Sequence, residues 1–375
     1  MKVGIFETQH FEGSYPVIRL FDNSINEVVV FTDPPTYKRF ADLFGQSAGR
    51  YQWIILQRRF SRLLFFWSLY KQVKRSKPDI FYINTISSNH LLFVLVIGLL
   101  RTPRTIVTLH DINCMFESKP SWNLRRMAHH LGKRLLIRQV KEFNVVSETM
   151  VDYLVQKTKG QKIIHNVPGA VFDGNNKPRL PAGYFHLVIP GSIDKKRRDY
   201  AQIWPLLNEA EKQQFPLQLT ILGGYIDGYG KQVMAQARQF RSTYTKLQCY
   251  DTDVVDQDEF DRQLDSAHFI FIPSVVNTAI CHAIPEVYGL TKSSGNIFDI
   301  IKHARPFIIP HTLRIPANLA SSAVIYHTIT DIITFLKQVQ QEPSLYGDLE
   351  QKALLNSGEY TISKVRERNA TLFSG

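Results

Sequence analysis

Between Pro285 and Asp299 the chain gathers Glu286, Gly289, Lys292, Ser293, Ser294 and Gly295 ahead of a helical pattern, with Asp299 inside that pattern. A loop that opens a helix presents free backbone N–H groups and the positive end of the helix dipole. With Lys292 beside it, such a place suits a phosphate or diphosphate. A carboxylate one turn into the helix suits sugar hydroxyls. The segment reads as a nucleotide-sugar site; the bland alternative is a glycine-containing loop that binds nothing. Two further places could supply a base. One is the loop Glu7–Gly13, with His10 and Glu12. The other is the pair His110 and Asp111. Each could instead be ordinary structure, His10 as a hydrogen-bonded residue and Asp111 as a cap of the next turn.

Positioning these groups falls to an alternation of short β-rich runs and helical patterns, which argues for βα units and parallel sheets. In the first half, strands are predicted at 2–6, 27–32, 53–56, 79–84, 105–109, 142–147 and 162–165, and helices at 60–75, 90–100 and 121–141. From Pro168 to Gly183 the pattern lapses into turn chemistry. It resumes with strands at 186–190, 218–222, 247–250, 269–272, 306–309 and 323–327. Helices are expected at 200–213, 231–244, 256–266, 297–303 and 329–341. The expected organisation is a first domain over 1–170, a linker over 171–184, a second domain over 185–357 and a last helix within 358–375 that could pack back on the first domain. The fold class is α/β, two doubly wound Rossmann-like domains facing each other across a cleft. Ligands bind such folds at the carboxyl ends of the strands, so the loops at His10 and His110 point into that cleft.

At 375 residues the chain suits two cores rather than one. Charge is uneven: residues 1–170 hold 24 Lys and Arg against 12 Asp and Glu, and the remainder holds 21 against 21. The excess concentrates in Arg58–Lys77 and Arg125–Lys141, both basic, amphipathic and rich in aromatic or aliphatic residues. They suit an anionic membrane surface, or are plain solvated helix faces. No nucleic-acid motif accompanies them, so nucleic acid is not an expected partner. Cys114, Cys249 and Cys281 are few and far apart, without metal-ligand spacing. Their default is a reducing cytoplasm and no structural zinc. The run Met1–Phe6 meets Glu7 at once and reads as a strand, not a secretory signal. Leu91–Leu100 is half the roughly 20 residues that span a bilayer.

The order of motifs resembles the GT-B glycosyltransferases, nearest to the bacterial enzymes that build lipopolysaccharide, capsule and exopolysaccharide. In the first domain the resemblance lies in Val107-Thr108-Leu109-His110-Asp111, Val145-Val146-Ser147-Glu148 and His165-Asn166-Val167-Pro168-Gly169. In the second it lies in Ile189-Pro190-Gly191-Ser192 followed by Lys195–Arg198, in Leu222-Gly223-Gly224, and in Ile270-Phe271-Ile272-Pro273-Ser274. In the family a glutamate and glycine turn precede a second glutamate; Glu286-Val287-Tyr288-Gly289 and Asp299 occupy those positions. Twelve residues separate the two carboxylates here, more than the pattern has. The family's basic-loop arginine is Ser192, so Arg197 or Arg198 must replace it.

The resemblance implies transfer of a sugar from a nucleotide-sugar donor to a lipid-linked or surface-polysaccharide glycan, at the inner face of the cytoplasmic membrane. Arg197, Arg198, Lys292, Ser294 and Gly295 would surround the diphosphate. Asp299 would hold the ribose, and Glu286 and Tyr288 would lie beside them. The leaving diphosphate needs positive partners. Asp251-Thr252-Asp253 has a metal-holding spacing but sits in an acidic run before a helix, so no metal or other cofactor is expected. Competing readings are a nucleotide-sugar epimerase and a non-catalytic assembly subunit on the same scaffold.

Overall fold

The structure, a computed structural model, describes residues 1–57, 61–100, 104–174, 183–225, 227–281 and 283–373. Arg58, Arg59 and Phe60 of the first basic segment, and linker residues 175–182, lie outside that set.

Seven strands form the first sheet: β1 (Lys2–Phe6), β2 (Glu27–Thr32), β3 (Gln52–Ile55), β4 (Ile80–Ile83), β5 (Arg104–Leu109), β6 (Glu142–Val145) and β7 (Ile163–His165). All pair in parallel, in the order β3-β2-β1-β4-β5-β6-β7. The second sheet holds β8 (Phe185–Pro190), β9 (Leu217–Leu222), β10 (Thr245–Cys249) and β11 (Phe269–Phe271). A hairpin of β12 (Asn277–Ile280) and β13 (Ile284–Val287) follows, and then β14 (Phe307–Pro310) and β15 (Ala323–Tyr326) complete that sheet. Its order is β10-β9-β8-β11-β14-β15, again parallel. Strand order reverses between β1 and β4 in one sheet and between β8 and β11 in the other, the places where such sheets open a crevice.

Both faces of each sheet are buried, so the strands are apolar on both sides. Val3, Ile5, Val28 and Val30 pack on one face of the first sheet, and Phe6, Val29, Phe31 and Phe81 on the other. The second face carries the helices Arg62–Ser76, His90–Leu100 and Leu124–Gln139, packed side by side. His90–Leu100 and Leu124–Gln139 cross so closely that a Cβ on Gly132 would stand 2.7 Å from the Leu91 nitrogen. No helix among the described residues is long and apolar enough to cross a membrane.

The last helix, Ile362–Arg368, lies on the first sheet. Val365 and Leu372 are fully buried with Val3, Ile5 and Val17. Arg366 donates to the carbonyls of Arg19, Leu20 and Asp22 at 3.0, 2.8 and 2.7 Å, closing the end of the Phe11–Phe21 helix.

Two features depart from the sequence expectation. The β12–β13 hairpin occupies part of what reads as loop, and a helix spans Pro343–Gly358 where none is predicted. The cysteine reading also changes. Cys114 and Cys281, 167 positions apart, form a disulfide with Cα atoms 5.9 Å apart; Cys249 is free. Wide spacing in sequence says nothing about distance in a two-domain fold, so the cysteines no longer argue for a reducing compartment.

Candidate functional site

The two sheets present their carboxyl ends to one another, and the candidate residues sort themselves along the cleft between them. On the first-domain side, Glu7 ends β1 fully buried. Its carboxylate accepts from the backbone N–H groups of Thr8, Gln9 and His10 at 2.6, 2.5 and 2.9 Å. It also accepts from Asn84 Nδ2 at 2.8 Å and Thr85 Oγ1 at 2.7 Å. Glu7 thus shapes the loop that carries His10 and ties it to β4. In sequence, a carboxylate that ends an apolar strand looks like the first residue of a solvated loop, so nothing there signals this role of Glu7.

His10 opens the Phe11–Phe21 helix, and its ring centre lies 5.5 Å from that of His110. His110 Nε2 donates to the Asn84 carbonyl at 3.0 Å. Burial, and then the neighbouring His10, push the His110 pKa below the ordinary imidazole value. A neutral ring with its proton committed at Nε2 keeps its lone pair on Nδ1, the form in which an imidazole accepts a proton. Asp111 does not cap the short helix Ile112–Phe116 with its side chain; it pairs with Lys292 of the second domain.

That pairing relocates two of the expected donor contacts. The Lys292 ammonium lies against Asp111 and 5.6 Å from the centre of the Tyr288 ring, itself buried. Glu286 is on β13, fully buried. It accepts from the Cys114 backbone N–H at 2.6 Å and from the Thr291 hydroxyl. Burial raises its pKa to about 7. Asn113 Nδ2 donates to the Pro285 carbonyl at 3.0 Å, and the Ile112 N–H to the Thr291 carbonyl at 2.9 Å. With the disulfide, these contacts strap the β12–β13 hairpin to the helix Ile112–Phe116. Glu286 and Lys292 therefore face the first domain, not open space. The extra residues between Glu286 and Asp299 belong to this strap.

The remaining donor candidates surround the start of the helix Gly295–His303. Ser294 occupies its cap position without a side-chain cap bond, and the space in front of Gly295 is open. Arg198 is buried; it donates from Nη1 to the Ser192 carbonyl at 2.9 Å and from Nη2 to Asn296 Oδ1 at 3.1 Å. Asn296 Nδ2 in turn donates to the Pro190 carbonyl at 2.9 Å. Among the described residues, Arg198 Nε and Ser293 Oγ are buried polar atoms without a hydrogen-bond partner. Buried groups of this kind are costly unless a ligand completes them. Gly191, at φ +90°, leaves room for the guanidinium, since a Cβ there would stand 2.4 Å from Nη2. Arg197 is exposed and pairs with Asp194 at 3.2 Å. Asp299 sits one turn into the helix, its pKa raised to about 6, chiefly by burial and in part by Glu12 across the cleft. Glu12 is raised too, chiefly by partial loss of water around it, although its side chain is exposed at the rim of the cleft. Asn296, which ties Arg198 to β8, had no signal in the sequence beyond its place after Gly295.

Among the described residues no three His, Cys, Asp or Glu side chains converge as a metal site. Asp251, of the Asp251-Thr252-Asp253 spacing, accepts from the Tyr225 hydroxyl at 2.7 Å and pairs with Arg238.

Residues 19–170 match the model of Glycosyltransferase Family 4. No curated protein sequence is a significant match. Among solved structures, the chain is similar to Anabaena Alr3699/HepE in complex with UDP and glucose. That match has 14% identity and a TM-score of 0.64, over 100% of this chain and 99% of that one. It is also similar to the lipopolysaccharide outer core galactosyltransferase WaaB, with 11% identity and a TM-score of 0.61 over 100% and 99%. A UDP-GlcNAc 2-epimerase from Neisseria meningitidis bound to UDP-GlcNAc reaches 13% identity and 0.58, over 100% and 99%. At these identities the likeness establishes the fold. The chain has the GT-B fold, with a first domain that matches Glycosyltransferase Family 4.

Proposed function

We propose that the chain is a metal-independent glycosyltransferase that moves a sugar from a UDP-sugar to a lipid-linked glycan at an anionic membrane surface. The observation that carries this reading is the pair of unpartnered buried atoms, Arg198 Nε and Ser293 Oγ, beside the open N-terminus of Gly295–His303. A leaving diphosphate would complete both. Its developing charge would be met by a guanidinium already held in place and by the helix dipole. Arg197 is free of the core and adds charge from the rim. Asp299 and Glu12 flank the position of the ribose and sugar. His110, neutral and open at Nδ1, is the group placed to take the acceptor proton, with Glu7 fixing the loop around it. Asp111 and Lys292 hold the two domains together over the site. The UDP in the HepE complex supports the choice of nucleotide.

The membrane part rests on the first domain's helical face. Leu63, Leu64, Trp67, Leu95, Leu99, Met127 and Leu131 are exposed there among Lys71, Lys74, Arg75, Arg125 and Arg134. A nucleotide-sugar epimerase, the function named for three structural neighbours, has no use for such a face.

Thermal-shift titration against nucleoside diphosphates, with and without magnesium, tests the donor site. We expect UDP to raise the melting temperature independently of magnesium. Arg198→Ala should weaken UDP at least tenfold with the fold intact. No shift with any nucleoside diphosphate would overturn the reading, and UDP-sugar isomerisation without an acceptor would turn it towards the epimerase.

A further inference from the structure

A cavity of about 650 Å³ extends from His10, His110 and Asp111 along the first domain to the helix Leu124–Gln139, with Cys281, Ala283, Ile284 and Pro285 of the β12–β13 hairpin forming part of its wall. Its far wall is one face of the helix Leu124–Gln139. Arg126, His129, His130 and Lys133 stand there at spacings of three, four and seven, which align side chains on a helix. Lys133 is buried; its Nζ donates to the Cys114 carbonyl at 2.7 Å. His130 Nδ1 lies 3.2 Å from Ser118 Oγ. His90 closes this end. The residue is 3% exposed, and its Nδ1 is a buried atom with no hydrogen-bond partner among the described residues. The two carboxylates that line the cavity are already matched, Asp111 by Lys292 and Glu117 by Lys157. Lys119, Arg126 and Lys133 make no ion pair among the described residues. This end of the cavity therefore presents three cationic side chains without an ion pair among the described residues, Lys133 having only the more distant charges of Asp111 and Glu286, and an unfilled hydrogen-bonding position.

The same helix turns Leu124, Met127 and Leu131 to solvent, and Trp122 before it is fully exposed. An anion pocket thus lies next to an apolar exit. We propose that the acceptor is anchored here through a phosphate or diphosphate held by Arg126, His129, His130 and Lys133, with its lipid chain leaving over Trp122, Leu124 and Met127. The inference rests on the glycosyltransferase reading and names the acceptor's chemistry within it. It places the acceptor glycan at the His10–His110 end of the cavity and its anionic linkage at the far end. Charge-assisted hydrogen bonds from Arg and Lys to phosphate oxygens give such a site its strength.

Equilibrium binding of farnesyl diphosphate to the full chain tests it, with inorganic diphosphate as the second probe. Arg126 is exposed, so Arg126→Glu leaves the fold intact. We expect it to weaken farnesyl diphosphate at least tenfold while UDP affinity is unchanged, with Arg126→Lys restoring most of the loss. Trp122→Ser should weaken farnesyl diphosphate several-fold and leave inorganic diphosphate alone. Arg198→Ala, on the donor side, should leave farnesyl diphosphate binding intact, which separates a failure here from a failure of the donor reading. Farnesyl diphosphate affinity unaffected by Arg126→Glu would overturn the proposal. Inorganic diphosphate binding as tightly as farnesyl diphosphate would overturn its lipid half and leave a site for a free phosphate compound.

Discussion

Glu286 shows how one side chain sets a pH dependence. Sealed between the Cys114 amide and the Thr291 hydroxyl, its carboxyl titrates near 7, whereas an unfolded chain releases that proton near 4.3. Between those values the folded state binds more protons than the unfolded one. Stability is therefore fully held at the acid end and falls as pH rises towards 7. Glu286→Gln removes this titration. Calorimetric melting should show a flatter profile between pH 5 and 8, with a gain at pH 8 of up to about 4 kcal/mol, from about 1.4 kcal/mol per pKa unit. An unchanged slope would mean that the proton resides elsewhere, the other raised carboxyls being Asp299 and Glu12. Residue identities in the sequence singled out His10, Glu12, His110, Arg198 and Asp299, and all of them stand along the cleft. They could not tell a ligand contact from an interdomain contact. Lys292 looks like a phosphate lysine until its partner, Asp111, arrives from 181 positions away.

At the scale of elements, the parallel strands were legible because both of their faces are buried, which leaves short continuous apolar runs between helical patterns. Helix His90–Leu100 was legible for the same reason. The β12–β13 hairpin was not. Asn277–Ile280 and Ile284–Val287 lack regular alternation, Pro285 argues against a strand, and the turn takes left-handed backbone at Cys281 and Ala283 with no glycine to announce it. The helix Pro343–Gly358 hides behind two glycines, although Pro343 at its first turn is a fair start signal. Three neighbouring helices, Arg62–Ser76, His90–Leu100 and Leu124–Gln139, bury one side on the sheet and expose apolar side chains on the other. Cosedimentation should show this face binding vesicles rich in phosphatidylglycerol over neutral ones, and less so as salt rises, since each basic residue near such a surface contributes about 1 kcal/mol. Replacing both Trp67 and Trp122 by Ser should weaken the anionic partition about tenfold. Equal binding to neutral vesicles would remove the basic helices from the account.

The whole molecule is closed at two places. Across the cleft, the Cys114–Cys281 disulfide joins the domains beside the ion pair of Asp111 and Lys292. A crosslink over so long a loop restricts the unfolded chain by up to roughly 5 kcal/mol in the loop-entropy estimate. Cys281→Ser should lower the denaturation midpoint accordingly and, in small-angle scattering, enlarge the radius of gyration as the hairpin lets go. Midpoints that coincide with and without reductant would show that the bridge does not form in solution. The second closure is the last helix, and it bears on the order of events in synthesis. Val365 and Leu372 complete the layer formed by Val3, Ile5 and Val17, and Arg366 finishes the helix that begins at Phe11. While the chain is still emerging from the ribosome, the first-made domain has an uncovered seam that only residues some 350 positions later can fill. Vectorial folding cannot finish domain by domain here. The first half gains this last layer only after the second half has been made.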